Sequence, residues 1–350
     1  MIKKLLALLI SSSFIFAACS PQGGSEGQNA ETPNGESTQD NKTGSVQELE
    51  DFEVVLDWYP NAVHSFIYEA IENGYYAEEG LNVIIRFPSN TNDAISLTAA
   101  GKADMGIYYM HDIIRAKGDQ DIPVKSVGAI TQEPLNIFLS LKDKNITEPK
   151  DLIGKKIGQS GSDLSEAIIR VMVEGAGGSM DDVEVIDVGF DLMSSMTTGN
   201  VDATIGCMVN HEVPELEDEG FEVNYFYPNE YGMPDYYELV FVTGEKNLEE
   251  NRDKIEGFLR ASAKGFEDMK KDPAGAVKLL LENQNAENFP LKENVEMQSI
   301  ETLLPVMETE NAKFLSQDKA VWEENINWLL QQGILENPVS AEDVYEDIIG

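Results

Sequence analysis

Two stretches decide how this chain reads: "AAGKADMGI", residues 99–107, and "TTGNVDATI", residues 197–205. Both run small, small, Gly, any residue, Ala or Val, Asp, Met or Ala, any residue, Ile. In each, a helical pattern stops at Gly101 or Gly199, and a strand begins before Asp104 or Asp202. Glycine ends helices because it adopts the left-handed conformation at little cost. Before the first stretch come the strand "FEVVLDW", a helix over 64–73, the strand "LNVIIRF" and the helix "NDAISLTAA". The first helix carries Ile67, Ala70 and Ile71 on one face, with Gly74 placed to end it. Around the second stretch come the strand "KKIGQ", a long helix from "SDLSEAIIRVMVEGAGG", the strand "VEVIDV" and the short helix "FDLMSSMTTG". That long helix has a capping-box pair, Asp163 and Glu166. Short β runs alternating with amphipathic helices specify a mainly parallel sheet with helices on its faces. The order occurs twice, so the expectation is an α/β protein of two similar lobes.

Two apolar runs lie between the blocks, "LNIFLSLKDK" from Leu135 and "YYELVFVTGEK" from Tyr236. They are expected to be β crossovers that serve as a hinge near Leu139–Leu141 and Leu239–Val242. From Asn247 onward the pattern is almost wholly helical, and these helices are expected to pack on the first lobe. The boundaries that follow are 51–140 with 243–350 for lobe 1, and 141–242 for lobe 2. Two lobes joined twice enclose a cleft. Ligands of open α/β sheets sit outside the carboxyl ends of strands.

The N-terminus is not fold. Lys3 and Lys4 precede a short apolar run from Leu5 to Phe16, and residues 1–18 read as an export signal. The segment "FAACS" resembles a bacterial lipobox in which Cys19 is lipidated. Residues 19–50 are rich in Gly, Ser, Asn, Gln, Glu and Thr and read as a flexible tether. About thirty such residues span on the order of 30 Å. The expected location is the extracytoplasmic face of a cell membrane, through a lipid on Cys19.

Formal net charge is -38, and about -40 once Lys3 and Lys4 leave with the signal. Such a surface repels nucleic acid and anionic lipid. Cys207 is the only cysteine besides Cys19, so the folded body has no internal disulfide, and no Cys/His spacing fits a metal. Neither a cofactor nor a metal is expected.

From about Glu53 to Ile349 the chain resembles the bacterial ABC-transporter substrate-binding proteins of the thiamine-pyrimidine-precursor type (NMT1/THI5-like). The segments that carry the likeness include "LDWYPN", "GYYAEEGLNV", "TAAGKADMGI", "DLIGKKIG", "NHEVPELEDEG" and "YGMPDYYELVFVT". The resemblance implies a two-lobed, periplasmic-binding-protein-like receptor that closes on a small heteroaromatic solute. It also implies monomeric action and delivery to an ABC permease and its ATPase. Two departures stand near the expected pocket. Relatives commonly continue the first motif as Thr-Asn-His-Thr-Gly, where this chain has Ala62-Val63-His64-Ser65-Phe66. Relatives commonly carry Tyr-Trp before Asn-His-Glu, where this chain has Met208-Val209.

Candidate ligand residues follow from strand ends and from this likeness. Trp58 offers a flat face for stacking on a ring, or else covers its own helix. Asn61 both donates and accepts, which suits a ring edge, but it also suits a helix cap. His64 either contacts ligand or packs. Tyr108 and Tyr109 end a strand, so alternation turns one to the cleft and one to the interior. Glu212 stands at a strand's carboxyl end in the second lobe. A carboxylate there accepts from an exocyclic amine; otherwise it is an exposed acid favoured by a helix start. Gln132, Met208, Asn210, Tyr237 and Glu238 complete the set. The leading function is capture of a thiamine pyrimidine precursor, a formylaminopyrimidine or aminopyrimidine. A same-fold receptor for a riboflavin-like ring, an alkanesulfonate or another nitrogen heterocycle is the alternative. A pyrimidine-synthase-like enzyme is more remote: in the related family that chemistry depends on a cysteine-rich motif and a lysine-bound cofactor.

Overall fold

The computed structural model of the protein describes residues 49–161, 163–284 and 290–349. The export segment, Cys19, the tether as far as residue 48 and the Asp163 side chain lie outside what is described, whereas Glu50, at the expected end of the tether, already belongs to a strand. Among the described residues, ten strands form two five-stranded sheets. The first contains β1 (Glu50–Val55), β2 (Leu81–Arg86), β3 (Met105–Tyr109), β4 (Val124–Ala129) and β10 (Leu239–Gly244), in the order β2-β1-β3-β10-β4. The second contains β5 (Asn136–Leu141), β6 (Lys156–Gln159), β7 (Glu184–Asp187), β8 (Ala203–Met208) and β9 (Val223–Phe226), in the order β7-β6-β8-β5-β9. Each sheet has three parallel strands, then an antiparallel strand, then an edge strand. In each case the antiparallel strand is the one that has just crossed from the other lobe.

The two opening stretches do the same work in both lobes. Gly101 and Gly199 take φ of 64° and 77°. Asp104 accepts from the Glu53 N–H of β1 at 2.8 Å, and Asp202 accepts from the Lys156 N–H of β6 at 3.0 Å. Each carboxylate stitches the start of the third strand to the first, in mid-strand at Glu53 and at the strand's first residue, Lys156.

The crossovers correct the expected boundaries. β5 is paired along both edges within the second sheet, and β10 along both edges within the first. Leu139–Leu141 and Leu239–Val242 lie within these two strands, each of which begins where a connection crosses between the lobes. The inter-lobe connections are residues 130–135 and the segment before Leu239. Sheet membership changes at Asn136 and Leu239 rather than at 141 and 243.

The helix Arg252–Lys271 packs on Ser65–Glu72 of the first lobe. It approaches so closely that a Cβ on Gly265 would stand 2.1 Å from the Phe66 carbonyl oxygen. Lys319–Gln331 packs on Met110–Gln120. The helix Glu293–Met307 goes further and touches Glu212–Asp218 of the second lobe. Lys292 pairs with Asp218 at 2.8 Å, and Arg170 donates to the Gln332 carbonyl at 2.9 Å. The lobes are therefore closed on each other. Among the described residues no helix is long and apolar enough to cross a membrane.

Candidate functional site

The turn after β1 is wired by its own side chains. Asn61 sits in extended backbone and caps the short helix Ala62–His64, its Oδ1 accepting from the Val63 N–H at 3.1 Å. Its Nδ2 donates to the Tyr59 carbonyl at 3.3 Å. His64 Nδ1 accepts from the Asn61 N–H at 3.2 Å, so the ring proton is on Nε2, which donates to Asp57 Oδ1 at 2.9 Å. Glu296, from the helix Glu293–Met307, accepts from the Ala62 N–H at 2.7 Å. This network holds the turn and leaves Trp58 projecting between the lobes. Its ring meets Phe190 of the second lobe at 4.5 Å between centroids.

Trp58 lines three spaces in the cleft. An inner, hinge-side chamber of about 60 Å³ is bounded by Trp58, Tyr109, His111, Asp112, Asn136, Ser160, Leu164, Ser165, Ile168, Gly206, Met208, Tyr236 and Glu238. A neck of about 20 Å³ adds Asp57, Asn61, Val63, Asn210, His211 and Glu212. A wider mouth of about 470 Å³ is lined by Trp58, Tyr59, Phe190, Glu212, Glu296, Lys292 and others. Among the described residues, neither the inner chamber nor the neck is lined by a lysine or arginine. Four carboxylates border them: Asp57, Asp112, Glu212 and Glu238.

Burial governs the charges. It lifts Glu212 above the ordinary carboxylate value, against the pull of His211 and of the Met208 N–H, which Glu212 Oε2 accepts at 2.7 Å. Burial also lifts Glu238 and Glu296. His111 is lowered to about 4 by burial, and its Nε2 donates to Asn325 Oδ1 at 2.7 Å. It is neutral at physiological pH. His211 goes the other way. Burial opposes its charge, but Glu212, Glu296, Glu215 and Asp57 outweigh that and raise it.

Of the residues singled out from sequence, Trp58, Asn61, Tyr109, Met208, Asn210, Glu212 and Glu238 line the chambers. Asn61 does so with both polar ends already used. Asn210 donates to Ser299 Oγ at 3.1 Å, while its buried Oδ1 has no partner. Four residues are placed elsewhere. His64 is fully buried behind the turn, because it is the residue that holds Asp57. Tyr108 turns away from the cleft and donates to Asn92 at 2.7 Å. Gln132 donates to the carbonyls of Ala129, Lys313 and Ser316. Tyr237 accepts from the Asp318 N–H at 2.7 Å, facing opposite to Tyr236 and Glu238. Asn136, Tyr236, His111 and Phe190 were not singled out. The period of two through Tyr236 and Glu238 was the available signal for one of them.

Residues 61–276 match the family described as NMT1/THI5 like. The chain belongs to this family. It is 45% identical over 312 residues to a formylaminopyrimidine-binding protein of Halalkalibacterium halodurans, covering 89% of this chain and 94% of that one. It is 28% identical over 233 residues to a 4-amino-5-hydroxymethyl-2-methylpyrimidine phosphate synthase of Aspergillus parasiticus, covering 63% of this chain and 67% of that one. In fold it is similar to the alkanesulfonate-binding protein of Xanthomonas axonopodis pv. citri bound to MOPS. The TM-score is 0.67 at 13% identity, over 85% of this chain and 98% of that one. The two-lobed α/β architecture is thus that of the periplasmic binding proteins.

Proposed function

We propose that the protein is an extracytoplasmic solute receptor of an ABC importer, not an enzyme, and that it captures a formylaminopyrimidine or a related aminopyrimidine by closing its lobes. The observation that carries this is the inter-lobe chamber: an indole face from one lobe, buried carboxylates from the other lobe and the hinge, and no lysine or arginine among the described lining residues. Trp58 stacks on the ring and Glu212 accepts from the ring's amine, while Asn61 shapes the turn rather than reading the edge. The name of the 45%-identical relative supports the same ligand class. An alkanesulfonate or phosphate is disfavoured, since an anion would meet the carboxylates of Asp57, Glu212 and Glu238 with no lysine or arginine among the described lining residues. Pyrimidine-synthase chemistry is disfavoured because no lysine borders the inner chamber or neck, and Cys207 is buried with its thiol pushed well up by burial. Cys19 carries the lipid anchor, so Cys19→Ser releases the protein from membranes or leaves its signal uncleaved.

Calorimetric titration tests the ligand. Wild type binds formylaminopyrimidine, and Trp58→Ala binds it with a loss of at least about 2 kcal/mol, or about thirtyfold. Glu212→Gln weakens amino-substituted rings more than rings lacking the amine. If wild type binds no aminopyrimidine, the ligand assignment is wrong. If Trp58→Ala binds as well as wild type, Trp58 is only a packing residue.

A further inference from the structure

The hinge-side end of the chamber holds a carboxylate with an uneven division of work. Glu238 is 3% exposed. Its Oε2 accepts three hydrogen bonds: from the Leu135 N–H at 2.9 Å, the Asn136 N–H at 2.8 Å and the Tyr236 hydroxyl at 3.0 Å. Leu135 and Asn136 lie where the chain enters the second lobe, and Glu238 lies where it returns to the first. One oxygen therefore clasps the two inter-lobe connections together. The other oxygen, Oε1, has no protein hydrogen bond among the described residues, and Glu238 borders the inner chamber beside Trp58, Tyr109, Asn136, Met208 and Tyr236.

A carboxylate held at one oxygen by three donors cannot swing away, so the position of the second oxygen is fixed before any ligand arrives. Preorganised acceptors of this kind discriminate strongly, because a partner without a donor leaves a buried oxygen unmet. Glu212 stands at the neck end and Glu238 at the hinge end, with Trp58, Tyr109 and Met208 between them. A ring lying on Trp58 with its amine toward Glu212 directs its side arm into the hinge-side chamber.

Resting on the functional reading above, we propose that Glu238 is the specificity-determining residue for that side arm: Oε1 requires an N–H or ammonium donor there, while Oε2 keeps the hinge clasped. The receptor then selects pyrimidines with amino or formylamino arms over those whose arm only accepts.

Two ligands with the same 4-amino-2-methylpyrimidine ring test this. One carries an aminomethyl arm, which only donates; the other carries a methoxymethyl arm, which only accepts. Wild type binds the aminomethyl ring at least about tenfold more tightly. In E238Q the amide oxygen retains the clasp and the NH₂ group faces the chamber, so the preference reverses. Tyr236→Phe keeps both backbone bonds to Oε2, so it weakens both ligands alike and preserves the preference. Equal wild-type affinity for the two arms overturns the inference even if E238Q fails to fold. So does an E238Q protein, folded by its melting curve, that keeps the wild-type preference. Wild type that binds formylaminopyrimidine but ignores the arm overturns this inference alone. Wild type that binds none of the three overturns the functional reading, and this inference with it.

Discussion

At the cleft end of the first lobe, β3 runs straight to Tyr109 and hands the chain directly to the helix Met110–Gln120. At the matching end of the second lobe, β8 is irregular. Its pairing with β5 slips between Ile137 and Phe138, so Gly206 is left as an extra residue with φ of 106°. The loop Val209–His211 then intervenes before the helix that Glu212 begins. Both lobes have the same strand order, yet one presents a fixed aromatic wall and the other a bulged strand with a carboxylate behind it. The bulge re-aims the strand end, which is the usual role of such an insertion beside a site. It brings Met208 into the chamber that Tyr109 lines from the other side.

The largest expected effect breaks this difference at its source. Gly206→Ala has space for a methyl group, the nearest atom being Ser160 Oγ at 3.4 Å from an added Cβ. Its conformation is the obstacle. A non-glycine residue in such backbone costs about 1–3 kcal/mol. Urea unfolding is expected to register that loss, and ligand affinity is expected to fall because Gly206 and Met208 both line the chamber. The first-lobe residue aligned with Gly206 is Tyr108. Tyr108→Phe is expected to lose only its bond to Asn92, about 0.5–1.5 kcal/mol, with ligand affinity unchanged. Equal losses of affinity in both variants would remove the asymmetry between the lobes.

The next effect probes what the lobes share. Asp104→Ala and Asp202→Ala each leave a strand N–H without its acceptor, at about 1–2 kcal/mol. The losses are expected to match within about 0.5 kcal/mol if the two stretches are structural equivalents. Asp202 also meets Lys144 at 2.8 Å, and the small excess it shows should fade with added salt. A loss in one variant without the other would make the sequence repeat coincidental.

The repeat was legible because a helix-ending glycine and a strand-opening aspartate are local devices, each set by its own backbone. The crossovers were legible as strands but not as members of a particular sheet. Apolar runs such as "LNIFLSL" look the same from either end, so the sequence draws the lobe boundaries toward the ends of β5 and β10, whereas sheet membership changes at their starts. The site divides in the same way. Trp58 and Glu212 border the cleft, the place that their positions at strand ends make legible. Asn61 and His64 share the spacing of a cap and its partner, and the structure uses them so, which distance along the chain alone does not distinguish from ligand contact. Of Tyr237 and Glu238, both candidates for the hinge side, alternation turns Glu238 with Tyr236 to the chamber and leaves Tyr237 on the other face. His111 begins a helix immediately after β3, and nothing in its neighbours marks it as a wall of the chamber.

The smallest expected effect concerns the charge that joins the lobes. His211 faces Glu212 and Glu215 on its own helix, Glu296 on the helix Glu293–Met307 and Asp57 at the end of β1. Its Nε2 lies 3.6 Å from Glu215. Two of these acids, Glu296 and Asp57, belong to the opposite lobe. Burial works against the imidazolium, and the four acids raise it above its ordinary value of 6.5 in spite of that. A raised value means that protonation favours the folded, closed form. The contribution is full below 6.5 and is lost as pH rises through the raised value. Above that range the four acids face one another without the charge of the imidazolium between them. The melting temperature of wild type is therefore expected to fall more steeply than that of His211→Asn as pH rises from 6.5 toward 8.5. The steeper fall should be accompanied by more opening of the cleft, read as a larger radius of gyration in solution scattering. Parallel melting curves for the two proteins across that range would show that His211 does not carry charge between the lobes, leaving the ion pair of Lys292 with Asp218 as the electrostatic link across the cleft.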